Sequence, residues 1–207
     1  MDLMQRRRQL MGMQKKGEIL PPAGYQFIDY AENKGNSYVT LPYGFDDTDI
    51  VEIKGSMLNG FGDKYMVAPG VWNDNNNRFA MLGGISSNFV FSFGKQGTPN
   101  NRLQPAVPSD VNVHICKYKN KQFIMLDNGS IADMSNVEFG GTTQQLRLFY
   151  GYSGSTKGKI YYFKQSKMNG QNLNVLPIQN TSTGTVEMYD TVSQTILPRY
   201  NNLSAPQ

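Results

Sequence analysis

The chain has 207 residues, of which 21 are Gly, 12% are aromatic and only 17% are charged, a balance that suits short strands and tight turns and excludes a bundle of long surface helices. One cysteine, Cys116, excludes an internal disulfide, and with a single histidine, His114, an ordinary His/Cys zinc site is excluded as well. The net charge of +4 is accounted for by residues 1–16, where Arg6, Arg7, Arg8, Lys15 and Lys16 stand against Asp2, so the neutral remainder gives no argument for nucleic-acid binding.

Residues 1–16 lack Pro and are rich in helix formers. Leu3 and Met4 recur seven residues later as Leu10 and Met11, which places four apolar side chains on one stripe of a helix and the arginines on the other face. A helix of about 12–15 residues is marginal alone in water. The spacing therefore predicts a short helical arm that orders on a partner or on copies of itself; the competing reading is a frayed terminus. No apolar run of about 7–15 residues follows the basic residues, so they do not make a secretory signal. No run approaches the ~20 apolar residues of a membrane span either, so no membrane insertion is expected.

Gly17 and the Pro21-Pro22 pair end the arm, and residues 17–24 read as a linker. A folded domain is expected over 25–197, with a patternless tail at 198–207. Within it, strands are expected over 25–30, 38–41, 49–57, 79–84, 88–93, 111–118, 121–126, 146–150, 159–164, 173–178 and 185–189, with period-two alternation plainest over 25–30, 49–57 and 111–118. Asp127-Asn128-Gly129, after the run 121–126, is a strong hairpin signal. Strands this short and numerous, with Gly, Asn or Asp between them, predict an all-β sandwich, and the lack of a strand–helix rhythm argues against a parallel α/β sheet. Over 146–164 the alternation places Leu146, Leu148, Ile160 and Tyr162 on a buried face, and Arg147, Tyr161 and Phe163 on the other.

The search for chemistry yields little. His114 and Cys116 share a strand face, but side chains at i and i+2 stand about 7 Å apart, beyond hydrogen-bond reach, and His114 reads as structural. No closely spaced carboxylate pair of the kind a glycosidase needs is present. Asp46, Asp47 and Asp49, or Asp74 with Asn73 and Asn75, could supply oxygens to a calcium ion, but no EF-hand spacing is present and they read as turns. No catalytic residue, cofactor or metal is assigned. Trp72, the only tryptophan, is followed by Asn73, Asp74 and Asn75. An aromatic ring beside amides suits a sugar, the ring stacking on its apolar face and the amides bonding its hydroxyls. A core residue at a strand end fits Trp72 equally. The loop carrying Tyr150 and Tyr152 is a second candidate for glycan binding.

Three motifs stand in order: Phe27-Ile28-Asp29-Tyr30 leading to Gly35 and Tyr38-Val39-Thr40; Leu146-Arg147-Leu148-Phe149 followed by Gly158-Lys159-Ile160-Tyr161-Tyr162-Phe163-Lys164; and Val186-Glu187-Met188-Tyr189-Asp190. Over about 24–190 the chain resembles phage and bacterial proteins with a laminin-G-like, concanavalin A-type jelly roll. It departs from them in carrying Glu187 where they have Gly, and in a Pro- and Asn-rich stretch over 94–108. The resemblance implies a jelly-roll β-sandwich and a structural protein of a bacteriophage virion, such as a head fibre, decoration protein or tail-associated protein, extracellular after host lysis. The arm would then hold other virion proteins or build a homo-oligomer such as a trimer, and the sandwich would face host glycans. The alternative is a non-catalytic carbohydrate-binding module of a bacterial surface or secreted protein. Fold similarity to lectins does not by itself assign a ligand.

Overall fold

The computed structural model describes residues 19–57, 64–69, 78–85, 88–94, 102–103, 113–127, 129–137, 144–151 and 154–206. These contain strands and no helix. In chain order the strands are β1 (Tyr25–Phe27), β2 (Ala31–Asn33), β3 (Tyr38–Thr40), β4 (Ile50–Met57), β5 (Lys64–Pro69), β6 (Arg78–Ile85), β7 (Asn88–Gly94), β8 (Arg102–Leu103), β9 (His114–Lys119) and β10 (Gln122–Met125). They continue as β11 (Ile131–Asp133), β12 (Leu146–Leu148), β13 (Tyr150–Gly151), β14 (Gly154–Ser155), β15 (Gly158–Ser166), β16 (Asn172–Asn180), β17 (Val186–Asp190), β18 (Thr195–Ile196) and β19 (Arg199–Tyr200). The arm with Leu3, Met4, Arg6, Arg7, Arg8, Leu10 and Met11 lies outside the described residues, so the expected N-terminal helix does too.

Apart from β13 and β14, which pair only with each other, the strands form two antiparallel sheets. The first runs β11-β10-β9-β4-β15-β16-β17-β18, the second β19-β3-β12-β5-β6-β7-β8. β15 and β16 pair only at their hairpin end, from Phe163↔Val175 to Ser166↔Asn172. Beyond it β2 continues the ladder on β15 and β1 continues it on β16. The sheets share one core, the arrangement of a β-sandwich. Val51 and Ile53 of β4, Phe163 of β15 and Val175 of β16 meet Val39 of β3, Leu146 and Leu148 of β12 and Met81 of β6, all fully buried. An aromatic cluster stitches the layers together: Phe45 stacks on Phe79 of the second sheet at 3.5 Å and meets Tyr118 of the first edge-on at 5.0 Å. Each buried ring or branched aliphatic side chain contributes about 1.5–3 kcal/mol.

The expected faces of β15 need one correction. Against β4 the register shifts between Ile160 and Tyr162, which pair with the adjacent residues Gly55 and Lys54. This bulge turns both Tyr161 and Tyr162 outward, where the Tyr162 hydroxyl donates to Glu52 Oε1 at 2.9 Å. Phe163, not Tyr162, joins Ile160 in the core. One extra residue in a strand flips every later side chain to the other face, and strict alternation cannot anticipate it.

Residues 198–206 hold the layers together at one end. Thr40 N donates to Pro198 O, β19 pairs with β3, and Glu32 and Val186 form bridges to Ser204 and Leu203. The nearby β2–β3 turn is built on Asn33, which is fully buried. Its Oδ1 accepts from the amides of Gly35, Asn36 and Ser37, and its Nδ2 donates to the carbonyls of Ser37 and Thr156.

Candidate binding surface

Of the residues singled out for glycans, Trp72, Asn73, Asp74, Asn75 and Tyr152 lie outside the described residues. Tyr150 is described, and its neighbours are informative. Its ring meets Tyr38 edge-on, with centroids 5.3 Å apart. Tyr38 in turn lies flat against Tyr200, at 5.2 Å and 12°. The Arg147 guanidinium sits 4.5 Å from the Tyr38 ring and 4.9 Å from the Tyr150 ring. Strand register explains the cluster. β19, β3 and β12 are adjacent, Tyr200 pairs with Tyr38, and Arg147 pairs with Thr40. Val39, Leu146 and Leu148 point into the core, so alternation sends Tyr38, Thr40 and Arg147 to the outer face. Cation–π contacts of this kind contribute about 0.5–2 kcal/mol each.

Tyr200 is the ring this cluster presents. It is 56% exposed, with one face covered by Tyr38. Its backbone is pinned on both sides. Arg199 Nε donates to Glu187 Oε2 at 2.6 Å, and Arg199 Nη1 donates to the Asn201 carbonyl and to Asn202 Oδ1. Asn201 Nδ2 donates to Asn36 O at 2.8 Å. Glu187, the departure from the resembled pattern, therefore anchors the strand that carries Tyr200.

A cleft of about 450 Å³ adjoins the rings, at the seam where the chain passes from β18 in the first sheet to β19 in the second. That volume lies in the roughly 300–1,000 Å³ range of small-molecule sites. Thr40 belongs to both features: it lines the cleft and stands opposite Arg147. Pro198 lines the cleft two residues before Tyr200, so the exposed ring follows within about 7 Å of chain. Buried Leu41 and Leu197 form the floor, and Gln145, Ser193 and Thr195 stand at the rim.

The rim is set by a buried carboxylate. Asp190 is fully buried at the end of β17. Its Oδ1 accepts from the amides of Asn174 and Val192, and its Oδ2 accepts from the Ser193 amide and, at 2.5 Å, from the Ser193 hydroxyl. With the Ser193 proton committed to Asp190, the 2.7 Å contact between Ser193 Oγ and Thr195 Oγ1 requires Thr195 to donate. Thr195 Oγ1 is thereby left as a pure acceptor.

The chain matches no protein-family model, no curated protein and no solved structure with which it was compared. Its own geometry must carry any reading of function.

The other chemistry-bearing residues have structural partners. His114 Nδ1 lies 2.6 Å from Asp127 Oδ2, and the Ile115 amide donates to Asp127 Oδ1. Burial raises the Asp127 pKa, but these hydrogen bonds outweigh it and hold the carboxyl below its ordinary value. Cys116 is fully buried, and burial pushes its thiol well up, reinforced by the Asp127 charge. Asp46, Asp47 and Asp49 form a turn, as expected. Asp46 Oδ1 accepts from the Thr48 amide and hydroxyl, and Lys121 lies 3.5 Å from Asp47. The Lys167 ammonium lies 2.9 Å from the buried Asp49 carboxylate.

The outer face of the first sheet also mixes tyrosine with charge, but its rings are covered by lysines. Lys159 lies over Tyr30 at 4.3 Å, Lys164 over Tyr162 at 4.8 Å and Lys54 over Tyr161 at 5.0 Å. Glu52 lies 3.4 Å from Lys117. The lysines thus lie over the rings that this face would otherwise present.

Sequence reasoning reached Tyr150 and missed Tyr38, Arg147, Tyr200 and the cleft. The one signal available was a large aromatic at an outward position of an alternating strand, as Tyr38 is beside Val39.

Proposed function

We propose that this chain is a non-catalytic glycan-binding sandwich of the concanavalin A/laminin-G jelly-roll type, carried on a bacteriophage virion by its basic arm. The observation that carries the glycan reading is the exposed, rigidly backed Tyr200 ring beside a cleft whose described lining is apolar, hydroxyl and amide. A flat ring takes the apolar face of a sugar, while hydroxyls and amides take its polar edge. The jelly-roll assignment is supported by wholly antiparallel sheets between which the chain crosses repeatedly. The virion role is supported by the resemblance in the motifs and by a cationic leader attached to an otherwise neutral body.

The test is a glycan array probed with the full chain and with Tyr200→Ala. The wild type retains host-surface glycans, and the variant, folded and equally stable, binds them at least about tenfold more weakly, as expected for the loss of a central aromatic anchor. Equal retention by both removes the platform from the reading. Deleting residues 1–20 should leave glycan binding intact and strip the protein from purified particles; arm-less protein that still copurifies with particles contradicts the anchoring role.

A further inference from the structure

We infer that the cleft selects a neutral sugar bearing an acetamido group, an N-acetylhexosamine; this rests on the glycan-binding reading above and names its ligand class. Three features of the cleft point the same way. None of its described lining residues is Asp, Glu, Lys, Arg or His. A uronate, sialate or phosphorylated sugar would find no counter-ion among these lining residues, and desolvating an unpaired charge is heavily penalised.

The floor and walls are apolar. Ile196, 39% exposed, forms a wall, and Leu197 shows 4% of its surface beneath it. Pro42 and Pro198 complete this surface. A plain hexose would set hydroxyls against it, whereas an acetamido methyl covers it favourably.

The rim matches an amide. Thr195 Oγ1 has its own proton spent on Ser193 and offers lone pairs, which an acetamido N–H can fill. The Gln145 side chain supplies both a donor and an acceptor at the same rim. The next sugar of a chain would leave the cleft past Pro198 toward Tyr200. The cleft thus sets identity, and the ring adds affinity for whatever follows.

The experiment compares dissociation constants by ligand-observed NMR on the full chain. The probes are N-acetylglucosamine and N-acetylgalactosamine, their parent hexoses, and glucuronic acid as the charged probe. At least one N-acetyl sugar should bind about tenfold more tightly than its parent hexose, and glucuronic acid should bind no better than glucose. Thr195→Val keeps the shape and removes the acceptor, so it should erase the N-acetyl preference. Tyr200→Ala should weaken oligosaccharides of either kind and leave the preference intact. Parent hexoses binding as tightly as N-acetyl sugars, glucuronic acid binding best, or a preference that survives Thr195→Val each overturns the inference while glycan binding itself stands. No retention of any glycan, here or on the array, defeats both.

Discussion

Replacing Asp190 with Ala should destabilise the protein by about 3 kcal/mol and abolish ligand selection in the cleft at the same time. The carboxylate is fully buried and accepts from three backbone amides and one hydroxyl. Hydrogen bonds to a charged group contribute about 1.5–3 kcal/mol each, and a buried donor left without an acceptor costs about 1–3 kcal/mol, though shared partners make the sum sub-additive. For a domain of this size each kcal/mol shifts the melting temperature by about 2–4 °C, so a fall of roughly 6–12 °C is expected by thermal unfolding. Asp190→Asn retains one acceptor oxygen and should lose about half as much. The same carboxylate fixes the Ser193 proton and, through it, the acceptor character of Thr195. The Ala variant should therefore lose discrimination between sugars even at temperatures where it is fully folded. A melting shift below about 2 °C would show that the turn after β17 is held by something else.

Gly158→Ala should be comparably damaging for a different reason. A methyl group built on Gly158 would lie 2.4 Å from the backbone oxygen of Ser56 and 2.9 Å from both Sδ and Cε of Met66. The methionine is flexible and can yield. The Ser56 carbonyl cannot, because it belongs to β4, whose ladder with β15 pairs Gly158 with Met57 and Lys159 with Ser56. Overpacking of this kind costs about 1–3 kcal/mol, and with a backbone atom in the way the upper end is expected. Gly170→Ala is the comparison. It has a left-handed φ of 83° and open space around it, so only the conformational penalty of about 1–2 kcal/mol applies. Urea midpoints should rank wild type above Gly170→Ala, and Gly170→Ala above Gly158→Ala. Shortening Met66 to Ala in the Gly158→Ala background should not restore stability.

Gly158 also illustrates how much of the fold the residues betray in advance. The alternation of Val51 and Ile53 with Glu52 and Lys54, and the Asp127-Asn128-Gly129 signal before β11, are visible because period two and turn chemistry act locally. β5 is invisible because Tyr65, Met66, Val67 and Ala68 are all fully buried, which removes the alternation that identifies a half-buried strand. The three-residue strand β2 and the two-residue strands β18 and β19 exist only through their neighbours, since so few residues carry no periodic signal of their own.

The candidate site was legible to a similar degree. Tyr150 could be suspected from its aromatic loop. Its partnership with Tyr38 and Tyr200 could not, because the three rings come from distant parts of the chain and meet only through the order β19-β3-β12. The cleft was hidden for the same reason. Its walls come from Thr40 to Tyr43, from Gln145, from Ser193 and from Thr195 to Pro198, and Asp190 reads in the sequence as an isolated acid rather than as the organiser of a rim.

The most direct measurement is to titrate the isotope-labelled full chain with the glycan best retained on the array and follow backbone amide shifts. Perturbations should concentrate at Thr40, Gln145, Thr195 and Tyr200, the residues that join ring and cleft on the seam between the sheets. Shifts confined to Tyr30, Tyr161 and Tyr162 on the outer face of the first sheet, or a protein that retains no glycan, would contradict the account.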